Sequence, residues 1–185
     1  MQWARLSDMF GEDTVLFAPK DKTLFSSVQQ GTIGDCYMIA TMIQFDSRPG
    51  AIEDLFVTKT TNDQAAYTMK FYIAGEPVYV TVDDYVPVTE KYMIRNGQYV
   101  HENGVYLKEK KPVYAQSMHY GEIWPMIMEK AWAKLVGSYS AIEGGNSSWT
   151  MEHLTNDPIE RFNLRAGYTA TNSKGKELWD NIIGW

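Results

Sequence analysis

Apolar residues crowd the stretch from Cys36 to Phe45 on nearly every side, with Gly34-Asp35 before it and Ser47-Arg48-Pro49-Gly50 after it. This pattern predicts a buried helix that opens at the cysteine, with Asp35 near its cap. From Gly121 to Val136 the apolar positions Ile123, Trp124, Ile127, Met128, Ala131, Trp132, Leu135 and Val136 recur at intervals of three and four, and Pro125 falls where a first turn tolerates it. A long amphipathic helix is predicted there. Tyr67–Ile73 and Val78–Val82 are β-rich runs around Ala74-Gly75-Glu76-Pro77, which predicts a hairpin, and Ile52–Phe56 predicts a short helix. The polar stretch Glu90–Lys111, with Asn96-Gly97 and Asn103-Gly104, is expected to be an exposed hairpin-like insertion. Toward the end, Ile159–Leu164 predicts a strand and Lys174–Ile183 a helix. Its apolar residues Trp179, Ile182, Ile183 and Trp185 predict a truncated edge that exposes hydrophobic surface unless it packs inward or meets another chain.

Pro and Gly are scattered as punctuation, and the reading finds no internal repeat and no linker, so residues 1–185 are expected to form one domain of α+β class. At 44% hydrophobic content the chain can bury a core without disulfides, and its one cysteine allows none internally. A net charge of -6 argues against a nucleic-acid surface, which needs basic groups to neutralise phosphates. No run of about 18 apolar residues spans a bilayer, and the start lacks a signal peptide's apolar stretch. The expectation is an intracellular protein, cytoplasmic or cytoskeleton-associated.

A lone cysteine is ordinarily an inert buried hydrophobe, so context has to argue for chemistry. Here Gln30-Gly31-Thr32-Ile33-Gly34-Asp35-Cys36-Tyr37 puts the thiol at a helix N-terminus after a glycine-bearing turn, where the helix dipole favours thiolate. A glutamine six residues upstream, on a loop that folds back, can present a second donor to a developing oxyanion beside the Cys36 backbone N–H. Cys36 as nucleophile and Gln30 as oxyanion donor are the candidate catalytic residues.

This stretch resembles the calpain branch of the papain-like cysteine proteases, with Tyr37 where the family usually has tryptophan. The resemblance runs on through Trp3 and Arg5, Gly75-Glu76-Pro77-Val78, Val82-Asp83-Asp84-Tyr85-Val86-Pro87, Trp124, Met128 to Lys134, Gly137-Ser138-Tyr139 and Gly144-Gly145. Taken singly, Asp83-Asp84 reads as a solvated strand end and Trp124 with Trp132 as a core stripe. The resemblance implies the helical left half of a papain-like fold, with a central buried helix starting at the cysteine and a small antiparallel hairpin. It also implies that the histidine and asparagine of the site come from a second subdomain, absent from this chain. His101, His119 and His153 do not lie in the family's settings and are assigned to surface or structure.

The same resemblance implies a calcium site, with Glu122 as a ligand and carbonyls from the loop Lys20-Asp21-Lys22. Ser27 stands where the family has an aspartate ligand, which should weaken a hard-cation site and leaves calcium open. Gln116-Ser117 and Asn156-Asp157 are further departures. Two functions stay in play. One is half of a calcium-dependent cysteine endopeptidase, inactive alone, acting on protein or peptide substrates once completed by a second subdomain. The other is a non-catalytic calpain-like module of a cytoskeletal or flagellar assembly, partnered at the C-terminal edge.

Overall fold

The structure, a computed structural model, describes residues 2–19, 26–159 and 172–184. The mixture of helices and small antiparallel sheets is α+β. Strand β1 (Gln2–Arg5) leads into a short helix α1 (Leu6–Phe10), and β2 (Val28–Gln29) precedes α2 (Cys36–Asp46) and α3 (Ala51–Leu55). The strands β3 (Ala66–Ile73) and β4 (Glu76–Asp83) pair along their full length from Ala66↔Asp83 to Ile73↔Glu76. The connecting turn is therefore Ala74-Gly75 alone, both with positive φ, as the twist of a two-residue hairpin requires. Glu76 and Pro77, read from the sequence as part of the turn, already belong to β4.

Next, β5 (Tyr85–Tyr92) lies between β1 and β10 (Lys108–Pro112) in a three-stranded antiparallel sheet. Arg5 Nε and both the backbone N–H and the hydroxyl of Ser7 donate to the carboxylate of Asp84, at 2.6 to 3.0 Å. Asp84 is thus a fully buried anchor for the N-terminal segment, whereas its neighbour Asp83 stays exposed and pairs with Lys130. The solvated-strand-end reading holds for Asp83 only.

Contrary to the expectation of no internal repeat, the insertion between β5 and β10 contains one. Tyr92 to Gly97 and Tyr99 to Gly104 each run from a tyrosine to an Asn-Gly turn, seven residues apart, and a third tyrosine follows at Tyr106. Asn96, Gly97, Asn103 and Gly104 all take positive φ, closing the hairpins β6 (Ile94–Arg95) with β7 (Gln98–Tyr99) and β8 (His101–Glu102) with β9 (Val105–Tyr106). Backbone bonds from Met93 to Leu107, Leu107 to Val100 and Val100 to Met93 form a closed cycle. The three tyrosine rings meet edge to face with centroids 5.9 to 6.1 Å apart.

The remaining elements are β11 (Gln116–Ser117), paired with β2, and the helices α4 (Trp124–Val136), α5 (Ser147–Thr155) and α6 (Ser173–Ile183). Helix α4 packs on β4 and β3, while α5 packs on β3 and α2, so the core lies between the hairpin and these helices. Met38, Met42, Met69, Phe71, Trp124, Ile127 and Trp132 fill it. Thr41 and Thr150 share a hydroxyl hydrogen bond of 2.6 Å at the buried seam between α2 and α5. The predicted strand Ile159–Leu164 lies outside the described residues except for Ile159. On α6, Trp179, Ile182 and Ile183 are each more than half exposed, so its apolar side is open to solvent.

Candidate active site

The loop before α2 has little freedom. Thr32 N–H donates to Val113 O at 2.9 Å, and Gly144 N–H donates to Gly34 O at 2.8 Å, so the loop is gripped from both sides. A Cβ on Gly31 would lie 2.2 Å from Tyr114 O and 2.3 Å from Val113 O, which only glycine avoids. On the other side, a Cβ on Gly145 would meet the Tyr37 ring at 2.5 Å. Tyr37 itself is buried, and its hydroxyl accepts a 3.0 Å bond from the Trp132 indole. The residue that replaces the family's usual tryptophan is therefore bolted to α4.

Cys36 is the first residue of α2 and is exposed. The helix is not apolar toward protein on every side: Cys36, Ala40 and Gln44, at intervals of four, form an open stripe. Asp35 is the N-cap residue, but its side chain makes no cap bond; its carbonyl accepts from Met38 and Ile39 N–H. The Gln30 side chain folds back and donates from Nε2 to Ile33 O at 2.9 Å. A primary amide carries two N–H groups, and the same side chain also lies close enough to the Asp35 carboxyl to lower its titration. A cleft of about 630 Å³ between β1, α1, the insertion and residues 116–120 does not include Cys36 among its lining residues.

No hydrogen bond joins a histidine to Cys36 among the described residues. His153 on α5 bonds through Nδ1 with Trp149 O at 2.7 Å and meets the Trp132 ring edge to face. His101 lies against Tyr106 in the insertion, and His119 lines the cleft just described.

Behind the loop that leads to Cys36 lies a buried acidic pair that sequence reasoning missed. Asp35 is fully buried, and neither of its carboxyl oxygens has a hydrogen-bonding partner. Glu129 of α4 is equally buried, and both its oxygens accept from Ala115 N–H, at 3.0 and 3.2 Å. Burial first, then the nearby Asp35 carboxyl, push Glu129 up to about 9. Burial also raises Asp35, with Glu129 and Gln30 acting on its titration in the opposite sense. Burial of both carboxyls thus favours the protonated form of Glu129 beside Asp35. The available signal was an acidic residue inside the apolar run Ile123–Ala133.

Glu122 is 4% exposed and has acquired a full set of donors. Ala18 N–H donates to Oε1 at 2.9 Å, Ser27 Oγ donates to Oε2 at 2.7 Å, and Ser117 Oγ donates to Oε2 in a short bond. The neighbouring buried carboxylate Asp46 takes the Ser27 N–H at 3.1 Å. The loop Lys20-Asp21-Lys22 lies outside the described residues. What the described residues offer Glu122 is hydrogens, whereas a hard cation needs oxygen lone pairs, and no group of three or more His, Cys, Asp or Glu converges among the described residues. As described, Glu122 is a carboxylate held by hydrogen bonds, with the Ser27 hydroxyl beside it rather than a second carboxylate.

The family model described as calpain family cysteine protease matches residues 1–184. Calpain-type cysteine protease DEK1 of Zea mays is 29% identical over 185 residues, covering 98% of this chain and 8% of that protein. Calpain-13 of Rattus norvegicus is 27% identical over 169 residues, covering 90% of this chain and 22% of that protein. Calpain-5 of Mus musculus is 26% identical over 193 residues, covering 99% and 27%. The chain thus spans between 8% and 27% of the length of these relatives. The class these matches define is that of the cysteine proteases. Because the family match runs over nearly the whole chain, this chain belongs to the calpain family.

Proposed function

We propose that this chain supplies the nucleophile-bearing half of a papain-like cysteine endopeptidase, with protein or peptide substrates, and that a histidine from another segment completes it. The observation that carries this reading is the exposed Cys36 thiol at the first turn of α2, on an open stripe, at the end of a loop held by Gly31, Gly34 and Gly144. The incoming base would take the thiol proton, the sulfur would attack the scissile carbonyl, and the amine would leave with that proton. Water would then cleave the thioester. Gln30 would take the oxyanion role together with the Cys36 backbone N–H, its side chain being folded back onto the loop that ends at Cys36. A protonated Glu129 would leave one fewer negative charge buried beside the loop that ends at Cys36.

His153 is bonded to Trp149 O, His101 lies against Tyr106, and His119 lines a cleft that does not include Cys36, which supports a base contributed from elsewhere. The exposed Trp179, Ile182 and Ile183 are consistent with further protein packing at that end. Among the described residues no helix is long and apolar enough to cross a membrane.

The test is labelling of Cys36 by a thiol-reactive peptidyl protease probe across pH, on this chain alone and after addition of a calpain-type second subdomain, with Cys36→Ala as the blank. Labelling that persists below neutral pH only in the mixture supports a split protease site. Ordinary thiol-like reactivity in both samples refutes it in favour of a non-catalytic module.

A further inference from the structure

Three separate parts of the chain converge on the Glu122 carboxylate: Ala18 through its backbone, Ser27 from the residue preceding β2, and Ser117 from β11. The same place is fastened by Ser27 O accepting from Met118 N–H at 2.8 Å, and by Ile123 and Trp124 N–H donating to Val15 O and Leu16 O. The residue after β2 is Gln30, and the loop to Cys36 follows at once. Whatever holds Glu122 therefore also holds the strand from which the nucleophile loop springs.

We infer that the Ser27 and Ser117 hydroxyls take the place of a cation at Glu122, forming a hydrogen-bonded latch that organises β2, β11 and the Cys36 loop without calcium. The chemistry is complementary on each side. A buried carboxylate needs hydrogens or a cation; here two hydroxyls and one amide supply the hydrogens, and both oxygens are occupied. Converting the latch into a cation site would require the hydroxyl protons to turn away from Glu122. Serine at position 27 also omits the second negative ligand that would draw a divalent ion into a buried site, and Asp46, the other buried carboxylate beside it, is committed to the Ser27 backbone N–H.

The bearing of this latch on catalysis rests on the reading of the chain as a nucleophile-bearing half. Its test does not, because a melting temperature needs no activity and stands whether or not Cys36 proves catalytic. The 185-residue chain is melted in excess EGTA and in millimolar calcium, as wild type and as Ser27→Ala, Ser117→Ala and Ser27→Asp. The wild-type Tm is expected to be the same in both conditions, whereas a site of micromolar affinity would raise it by roughly 8 to 16 °C. Ser27→Ala and Ser117→Ala each remove a donor from a buried carboxylate and are expected to lower Tm by a few degrees. Ser27→Asp places a new carboxylate between Glu122 and Asp46 and is expected to lower Tm in EGTA by roughly 10 °C. A wild-type Tm several degrees higher in calcium overturns the inference, and that measurement needs no variant to fold. Alanine variants that melt with the wild type in EGTA overturn it as well.

Discussion

Replacing Glu129 by glutamine tests whether a proton is stored behind the loop that leads to Cys36. The Glu129 carboxyl is 1% exposed, and burial together with Asp35 pushes it up to about 9, whereas an unfolded glutamate titrates near 4.3. Between roughly pH 5 and 9 the folded protein therefore keeps a proton that the unfolded chain has released. Its stability falls as pH rises through that window, by at most about 1.4 kcal/mol per pH unit for one proton. Over two units, from pH 6 to 8, the stored proton costs about 2 to 3 kcal/mol by the same relation. Glutamine preserves the shape: its carbonyl can accept the Ala115 N–H, and its amide can donate to the unpartnered Asp35 oxygens. Glu129→Gln should lose this slope and overtake the wild type in stability above neutrality. Urea unfolding of both proteins at pH 5, 7 and 9 measures the effect. Stability profiles that stay parallel across the range would refute the shared proton.

The remaining predictions concern packing. Gly31→Ala drives a Cβ into the rigid carbonyls of Val113 and Tyr114, whereas Gly145→Ala meets the Tyr37 ring, a side chain that can shift. Thermal melts should show the larger loss for Gly31→Ala, at more than about 3 kcal/mol, and equal losses would contradict the geometry. Asp84→Ala orphans three hydrogen-bond donors around a fully buried site, whereas Asp83→Ala removes an exposed pairing with Lys130. The first should lower Tm several-fold more than the second, measured side by side.

The sequence by itself determined the helix that begins at Cys36, the β3–β4 hairpin, the long helix of Trp124 and Trp132, and the loop from Gln30 to Asp35. Each depends on local spacing and turn chemistry, which neighbouring residues carry. The seven-residue tyrosine repeat was equally legible, and only its short period hid it. Tertiary structure alone decided the rest, because burial is a property of what comes to lie opposite. Asp83 and Asp84 are identical in sequence terms, yet one meets solvent and the other Arg5 and Ser7. Glu129 is pushed up only when α4 buries it and brings it toward Asp35, some 90 residues away in sequence. Ser27 reads in sequence as a missing ligand and in three dimensions as a donor, since its hydroxyl acquires meaning only from the carboxylate that Glu122 presents to it.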